Sequence, residues 1–351
     1  MILPATFPAA LLLMFACMLC WGTWANTFKF AGKWRFELYA YDIALGITLC
    51  AVAAAFTLGS ANPQDLTFED NFLIASSRKI VYGLASGVVI NLANLFLMSS
   101  FSVAGLSVAV PISMATAVIT NAIWNYFPST QANPLLLFGG VICLVVSIIL
   151  TALALSAHGD LLIPSKPLRP DPRVAPAARP APTALGVVLA VASGLAMGLC
   201  LPLIDNVRSG ENGVSPYGLA VLMGGGVLLS TLFLVPFFLT FPVQGAPIEF
   251  RSYFSGSKKQ HFWGLFGGMI WMGGMIAYLT ALSAPTLTAA NMATEFGVVY
   301  AAALVAALWG WLLWRDFKGS TYKVKMMLLG MFVMYGAGMA MVALAPLFVA
   351  Q

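Results

Sequence analysis

One carboxylate lies deep inside an apolar run. Residues 284–314 read APTLTAANMATEFGVVYAAALVAALWGWLLW, and Glu295 sits well within them. At ~1.5 Å per residue the run is long enough to cross a bilayer as a helix. A charge at that depth costs about 2.5–3.5 kcal/mol on insertion scales, so an acid retained there is a candidate for exchanging a proton or holding a polar ligand. Thr288, Asn291 and Glu295 follow i, i+3, i+7 spacing, which puts all three on one helical face. That face is read as the lining of a polar cavity. A buried hydrogen bond for Glu295 is the alternative.

Other polar groups in apolar runs have two readings each. Asn91 and Asn94 lie about one helical turn apart in a third run. Ser113, Thr116 and Thr120 share a face of a fourth, beside Pro111. Amides and hydroxyls need partners where water is absent, so these residues either line a cavity or join helices. Trp21, Trp24 and Asn26 close the first run and Trp271 and Tyr278 lie in the eighth. These aromatics serve either as an interfacial belt or as a stacking surface, with Asn26 bonding a ligand's polar edge. Asp42 and Asp205 are candidates for a gate or a secondary coupling site. An acid near a helix start and an end-of-helix pair with Arg208 are the plainer alternatives.

No constellation for covalent or metal chemistry accompanies them. There is no GxSxG, HExxH or GxxxxGK, and both histidines, His158 and His261, fall in connections. Cys17 and Cys20 have CxxC spacing, with no further Cys or His nearby to complete a metal site. Neither a metal nor an organic cofactor is expected.

The elements that position these groups are transmembrane helices. The chain has 351 residues, 60% hydrophobic and 8% charged, against about 25% charged in a soluble domain. Hydropathy predicts ten spans, near residues 8–28, 37–59, 80–101, 104–126, 134–157, 184–205, 216–240, 262–283, 285–314 and 323–349. The N-terminal run has no Lys or Arg before it and is read as a retained first span. Residues 158–183 are rich in proline and read as an extended linker between five-span halves, residues 1–157 and 184–351.

The halves look duplicated. A shift of 181 residues lays Gly83 and Gly87 on Gly264 and Gly268, Ser99 on Thr280, Ser107 on Thr288 and Ser113 on Thr294. Five spans per half invert the second copy, which places a binding site at mid-membrane between the halves. The glycine pairs, with Gly194 and Gly198, are expected to bring helices close. The net charge of +5 is no sign of nucleic acid binding, because the basic residues are confined to connections. Of 17 Lys and Arg, 14 fall in the odd-numbered connections. That distribution predicts a cytoplasmic linker and both termini outside.

The segments CWGTWANTFKFAGKWRFELYAYD, GVVINLANLFL, GLSVAVPI and ALWGWLLWRDFKGS resemble the drug/metabolite transporter superfamily. Within it they are similar to the branch of ureide permeases, rhamnose–proton symporters and glucose-uptake proteins. The resemblance implies an all-α membrane protein of ten helices in two inverted five-helix repeats. It also implies a central cavity lined by spans 1, 3, 4, 6, 8 and 9, with spans 5 and 10 at the periphery. Where plant ureide permeases carry an acid after GLSV, this chain has Ala109-Val110-Pro111, and its linker lacks their phosphate-loop-like motif. The expected function is secondary active uptake of a small, mostly neutral metabolite (ureide, nucleobase or sugar) coupled to protons, or to sodium, by alternating access. Proton-coupled export of drugs or amphipathic metabolites is the alternative, for which 17 methionines would suit a permissive site. A membrane enzyme is a remote third. A bacterial-type inner membrane, a monomer or homodimer, and no nucleic acid complete the expectation.

Overall fold

The computed structural model describes residues 1–61, 67–129, 132–162, 183–210, 212–284 and 297–348. Among them the secondary structure is helical, without strands. The helices are α1 (Phe7–Thr23), α2 (Asn26–Ala31), α3 (Phe36–Thr57), α4 (Phe68–Ile74), α5 (Ser77–Ala104) and α6 (Leu106–Ser129). They continue with α7 (Pro134–Leu162), α8 (Thr183–Arg208), α9 (Pro216–Thr240), α10 (Lys258–Ala281), α11 (Ala302–Leu308) and α12 (Tyr322–Leu344). A π-helical turn, Trp309–Leu313, extends α11, and a 3-10 helix, Phe250–Ser255, lies between α9 and α10.

Nine of the described helices are long and apolar enough to cross a membrane, with α1 and α2 counted as one span. A shorter apolar helix, Gly297–Leu313, stands where the second part of the ninth span was expected. The all-α membrane architecture read from composition is therefore borne out. A helix satisfies its own backbone groups, which is the condition for burial in hydrocarbon. Its ends need help. Ser76 and Ser215 accept from the backbone N–H groups of Lys79 and Gly218 at the starts of α5 and α9. Ser257 and Gln260 form a reciprocal capping box at the start of α10. The α5–α6 turn is a single residue, Gly105, at φ +83°, a conformation in which a side chain would be strained. Asp316 braces that turn by accepting from the Ser107 backbone N–H and hydroxyl.

Glycine decides how the core helices cross. A Cβ on Gly46 of α3 would collide with the Leu265 carbonyl and crowd Gly268 of α10, and one on Gly268 would strike the Ile43 carbonyl. The α5–α9 crossing has the same construction. A Cβ on Gly87 would strike the Met223 carbonyl and Gly226, and one on Gly226 the Leu84 carbonyl. The participants correspond by sequence offset, Leu84 and Gly87 to Leu265 and Gly268 at 181, Ile43 and Gly46 to Met223 and Gly226 at 180. Backbones pressed this closely gain dispersion where no hydrophobic force drives association. Around these crossings α1 packs on α10, α6 on α8, and α5 on both α8 and α9. α7 pairs with α12, where Gly140 meets Gly338 and Ser147 donates to the Met331 carbonyl at 3.2 Å.

Candidate functional site: the central cavity

A cavity opens between α1, α5, α6, α8, α10 and the segment that leads into α11. Its aromatic wall is Trp21, Trp24, Trp271 and Tyr300, and its sulfur wall is Met114, Met197, Met275 and Cys200. Ile90 and Leu97 of α5 line a third side. About 20 Å³ remains for water centres, room for roughly one water. Sites for small ligands have about 300–1,000 Å³, so this conformation is closed. The rings close it. Trp21 and Trp271 stack with centroids 6.2 Å apart, the Trp21 indole N–H donates to the Trp271 carbonyl at 3.2 Å, and Tyr278 lies 5.8 Å from Trp21. Sequence pattern alone left belt and stacking surface open for Trp21 and Trp271. Here both are buried and face the cavity.

Asn94 is a buried polar group on the α5 face behind this wall, beside the lining residues rather than among them. It lies four residues after Ile90 and three before Leu97, hence on the same helical face as both lining residues. Its side chain is 1% exposed, and neither its amide oxygen nor its amide nitrogen has a hydrogen-bond partner. Leaving such a group unsatisfied costs about 1–3 kcal/mol, recoverable by a ligand that supplies a donor and an acceptor.

Other sequence candidates hold helices together. Asn91 turns toward α9 and donates to Ser230 Oγ at 2.8 Å and to Thr231 Oγ1 at 3.0 Å. Ser113 shares a 2.8 Å hydrogen bond with Ser193 of α8. Thr116 and Thr120 donate to the carbonyls one turn back and pack where Gly194 and Gly198 leave room. They also border an open apolar groove with Trp124 and Phe127 on the flank of α6. Asn26 is not among the cavity's lining residues; its amide donates to the Thr23 carbonyl and its oxygen accepts from the Trp314 indole at 2.6 Å. Asp205 is exposed and pairs with Arg208 at 3.8 Å, and Arg208 also donates to the Leu282 carbonyl. Thr288, Asn291 and Glu295 lie outside the described residues.

Asp42 has a richer setting than the sequence indicated. It is 2% exposed, in the second turn of α3. Its Oδ1 accepts from the Tyr253 hydroxyl at 2.6 Å and contacts His261 Nδ1 at 2.9 Å. Gly264 makes the room, since a Cβ there would collide with the Asp42 side chain. His261 belongs to the first turn of α10 rather than to the preceding connection, and Tyr253 hangs from the 3-10 helix. Burial, and then the Asp42 carboxylate, push the Tyr253 phenol well above the ordinary tyrosine range. The two partners are 211 and 219 residues from Asp42, beyond any local pattern. One signal was available: the shift of 181 lays His261 on Ile80, a polar residue opposite an apolar one. Among the described residues no three His, Cys, Asp or Glu side chains are placed to hold a metal.

Comparison with known proteins gives this arrangement a family context. Residues 39–160 match the ureide permease family. The chain is 26% identical over 157 residues to ureide permease 2 of Arabidopsis thaliana, in an alignment covering 43% of this chain and 39% of that protein. It is 28% identical over 142 residues to ureide permease 1 of the same plant, covering 40% and 36%. Probable ureide permease A3 of Vigna unguiculata is 27% identical over 147 residues, covering 40% and 39%. The matched stretch thus spans about two fifths of these relatives' length. The likeness to the ureide permease branch is borne out, and these relatives are named as permeases, not enzymes. One solved crystal structure aligns over 94% of this chain and 96% of its own, at TM-score 0.48 and 15% identity, too distant to argue from.

Proposed function

We propose that this chain is a secondary transporter of small, flat, mostly neutral polar metabolites, with ureides and nucleobases the best-fitting class and sugars next. The observation that carries the reading is the buried, unpartnered Asn94 amide beside a cavity walled by tryptophans. An amide offers one acceptor and two donors, which match the N–H and C=O edge of a ureide or nucleobase. Trp21 and Trp271 supply planar surface for the ring. The relatives named ureide permeases support the same class.

Two inverted five-helix repeats, 1–157 and 184–351, would rock about this site to open it to either side. The matched glycine crossings support that reading, because one rigid contact recurs at equivalent positions in both halves. Glu295, with Thr288 and Asn291, remains the proposed proton-coupling face. A cytoplasmic linker, extracytoplasmic termini and a bacterial-type inner membrane belong to the same proposal. Export of amphipathic compounds is the second reading, favoured by the sulfur-rich wall and by the lateral groove bordered by Trp124 and Phe127.

The test is uptake of radiolabelled allantoin, uracil, glucose and rhamnose by the purified chain in liposomes, with and without an imposed proton gradient. Uptake of allantoin or uracil, driven by the gradient, is the expected result. Asn94→Leu should lower it about tenfold or more, equivalent to about 1.4 kcal/mol, while leaving the melting temperature unchanged or raised. Asn91→Leu should instead destabilise the protein by about 1 kcal/mol, since it removes the interhelical hydrogen bonds to Ser230 and Thr231 of α9. Failure of a monodisperse preparation to move any of the four compounds overturns the substrate class. Uptake indifferent to the gradient removes the proton.

A further inference from the structure

The Asp42 cluster stands apart from the cavity, two helical turns along α10 from Trp271. We propose that it is a proton-binding site, and that the occupant proton unfastens the α9–α10 connection from the helix bundle. The purpose such a release serves in transport rests on the function proposed above; the fastening itself does not.

The first argument is that the fold does not need an acid there. At the α5–α9 crossing, Gly83 stands in the register of Gly264, and the side chain pressed against it is Leu222. Leu222 corresponds to Asp42 by the offset of 180 that relates Gly226 to Gly46, and Ile80 corresponds to His261 by the offset of 181. One crossing is closed with an aliphatic side chain, the other with a buried carboxylate that must be desolvated. Removing a carboxylate from water is costly unless it is paired and hydrogen-bonded. A residue kept at that cost, where leucine serves the equivalent contact, is doing something besides packing.

The second argument is what the carboxylate holds. Tyr253 reaches Asp42 from the connection between α9 and α10, and the rest of that connection is moored to the same end of α3. Tyr41 packs against Phe250 and Tyr253 at 5.2 and 5.5 Å, and Arg35 donates to the Ala246 carbonyl at 2.6 Å. Tyr253 also lies against the His261 ring at 4.7 Å. The ionised carboxylate accepts from both Tyr253 and His261. Protonation neutralises it, so both bonds lose their charge assistance, and the oxygen that takes the proton turns from acceptor to donor. His261 is not an equivalent switch, because imidazole and imidazolium can both present an Nδ1–H to Asp42. The other titratable groups around the cluster are Tyr39, engaged with Thr27 at 2.5 Å, Tyr41, and Glu37, which is paired with Arg35 at 2.6 Å.

The experiment is hydrogen–deuterium exchange of the full chain in nanodiscs at pH 7.5 and 5.0, corrected for intrinsic rates and read on peptides from residues 246–257. The wild type should exchange there about tenfold faster at the lower pH, with the α5–α9 crossing unchanged. Asp42→Asn should exchange at one rate at both values, and His261→Gln should keep the acceleration. Should Asp42→Asn fail to fold, Tyr253→Phe decides. It should release the connection already at pH 7.5 and leave no acid response. A wild-type connection indifferent to pH overturns the proposal. So does a response that survives in Asp42→Asn, or in Tyr253→Phe, or that disappears in His261→Gln. Because exchange is read without substrate, its failure and a failure of liposome uptake are separate results.

Discussion

Two helix crossings in this protein share a backbone and differ in chemistry. At α3–α10 and α5–α9 alike, paired glycines bring main chain against main chain. Beside the first pair lies a buried Asp42 held by His261 and Tyr253, and beside the second lies Leu222. The contrast separates what the architecture requires from what it merely accommodates. Absent Cβ atoms are required in both places, because the neighbour is a carbonyl oxygen that cannot move aside. The side chain one turn away is free to be polar or apolar, so its identity reports on use.

Breaking the shared part should have the largest effect. Gly46→Leu and Gly226→Leu each drive a branched side chain into backbone, and each should cost about 3 kcal/mol or more. The outcome is read as loss of a monodisperse peak and of cooperative unfolding. A stable variant at either position would dissolve the equivalence of the crossings. Reciprocal exchange of the differing part comes next. Leu222→Asp buries a charge with no arranged partner and should cost about 2.5–3.5 kcal/mol. Asp42→Leu should lose only about 1 kcal/mol, because the partners it abandons, Tyr253 and His261, are half-buried and can bond water instead. Equal melting temperatures for the two variants would contradict the comparison.

The smallest effect sharpens it. The Tyr253 phenol is pushed up by burial first and the Asp42 carboxylate second. Its hydrogen bond is therefore fully present below the ordinary tyrosine range and is lost only as pH rises through the raised folded value. Asp42→Asn removes the charge and leaves the burial, so the tyrosinate of residue 253 should appear at lower pH, though still above the ordinary range. Near-ultraviolet absorbance of each protein minus its Tyr253→Phe counterpart reads this. An unchanged midpoint would mean that the carboxylate does not act on the phenol.

The spans were legible because hydrocarbon imposes a simple rule. A chain 60% hydrophobic, with charges in its connections, has to satisfy its backbone internally, and runs of about twenty apolar residues can do so only as helices. Boundaries followed suit: the predicted 216–240 coincides with α9, and 37–59 with α3 to within two residues. Gly83, Gly87, Gly264 and Gly268 were readable as close-approach positions because a missing side chain has a single steric meaning. Side-chain roles were not readable in the same way. Asn91 and Asn94 are the same residue in the same helix, and periodicity places both in the membrane. Only the position of α9 makes one an interhelical joint and leaves the other buried without a hydrogen-bond partner. Asp42 is the sharper case, since its partners lie more than two hundred residues away and one of them was read as lying in a connection.

The amino-acid order by itself determined the solvent this protein folds in, the approximate limits of the nine described spans, and the places where helices can touch. Those follow from local hydropathy and from the presence or absence of a Cβ, which are properties of single residues or short windows. Tertiary structure alone decided which polar groups are satisfied, that the tryptophans meet over a closed cavity, and that an acid, a histidine and a tyrosine converge at one end of α3. A hydrogen bond depends on the position of two atoms to within a few tenths of an ångström, and in a helix bundle that position is set by neighbours far away in the chain.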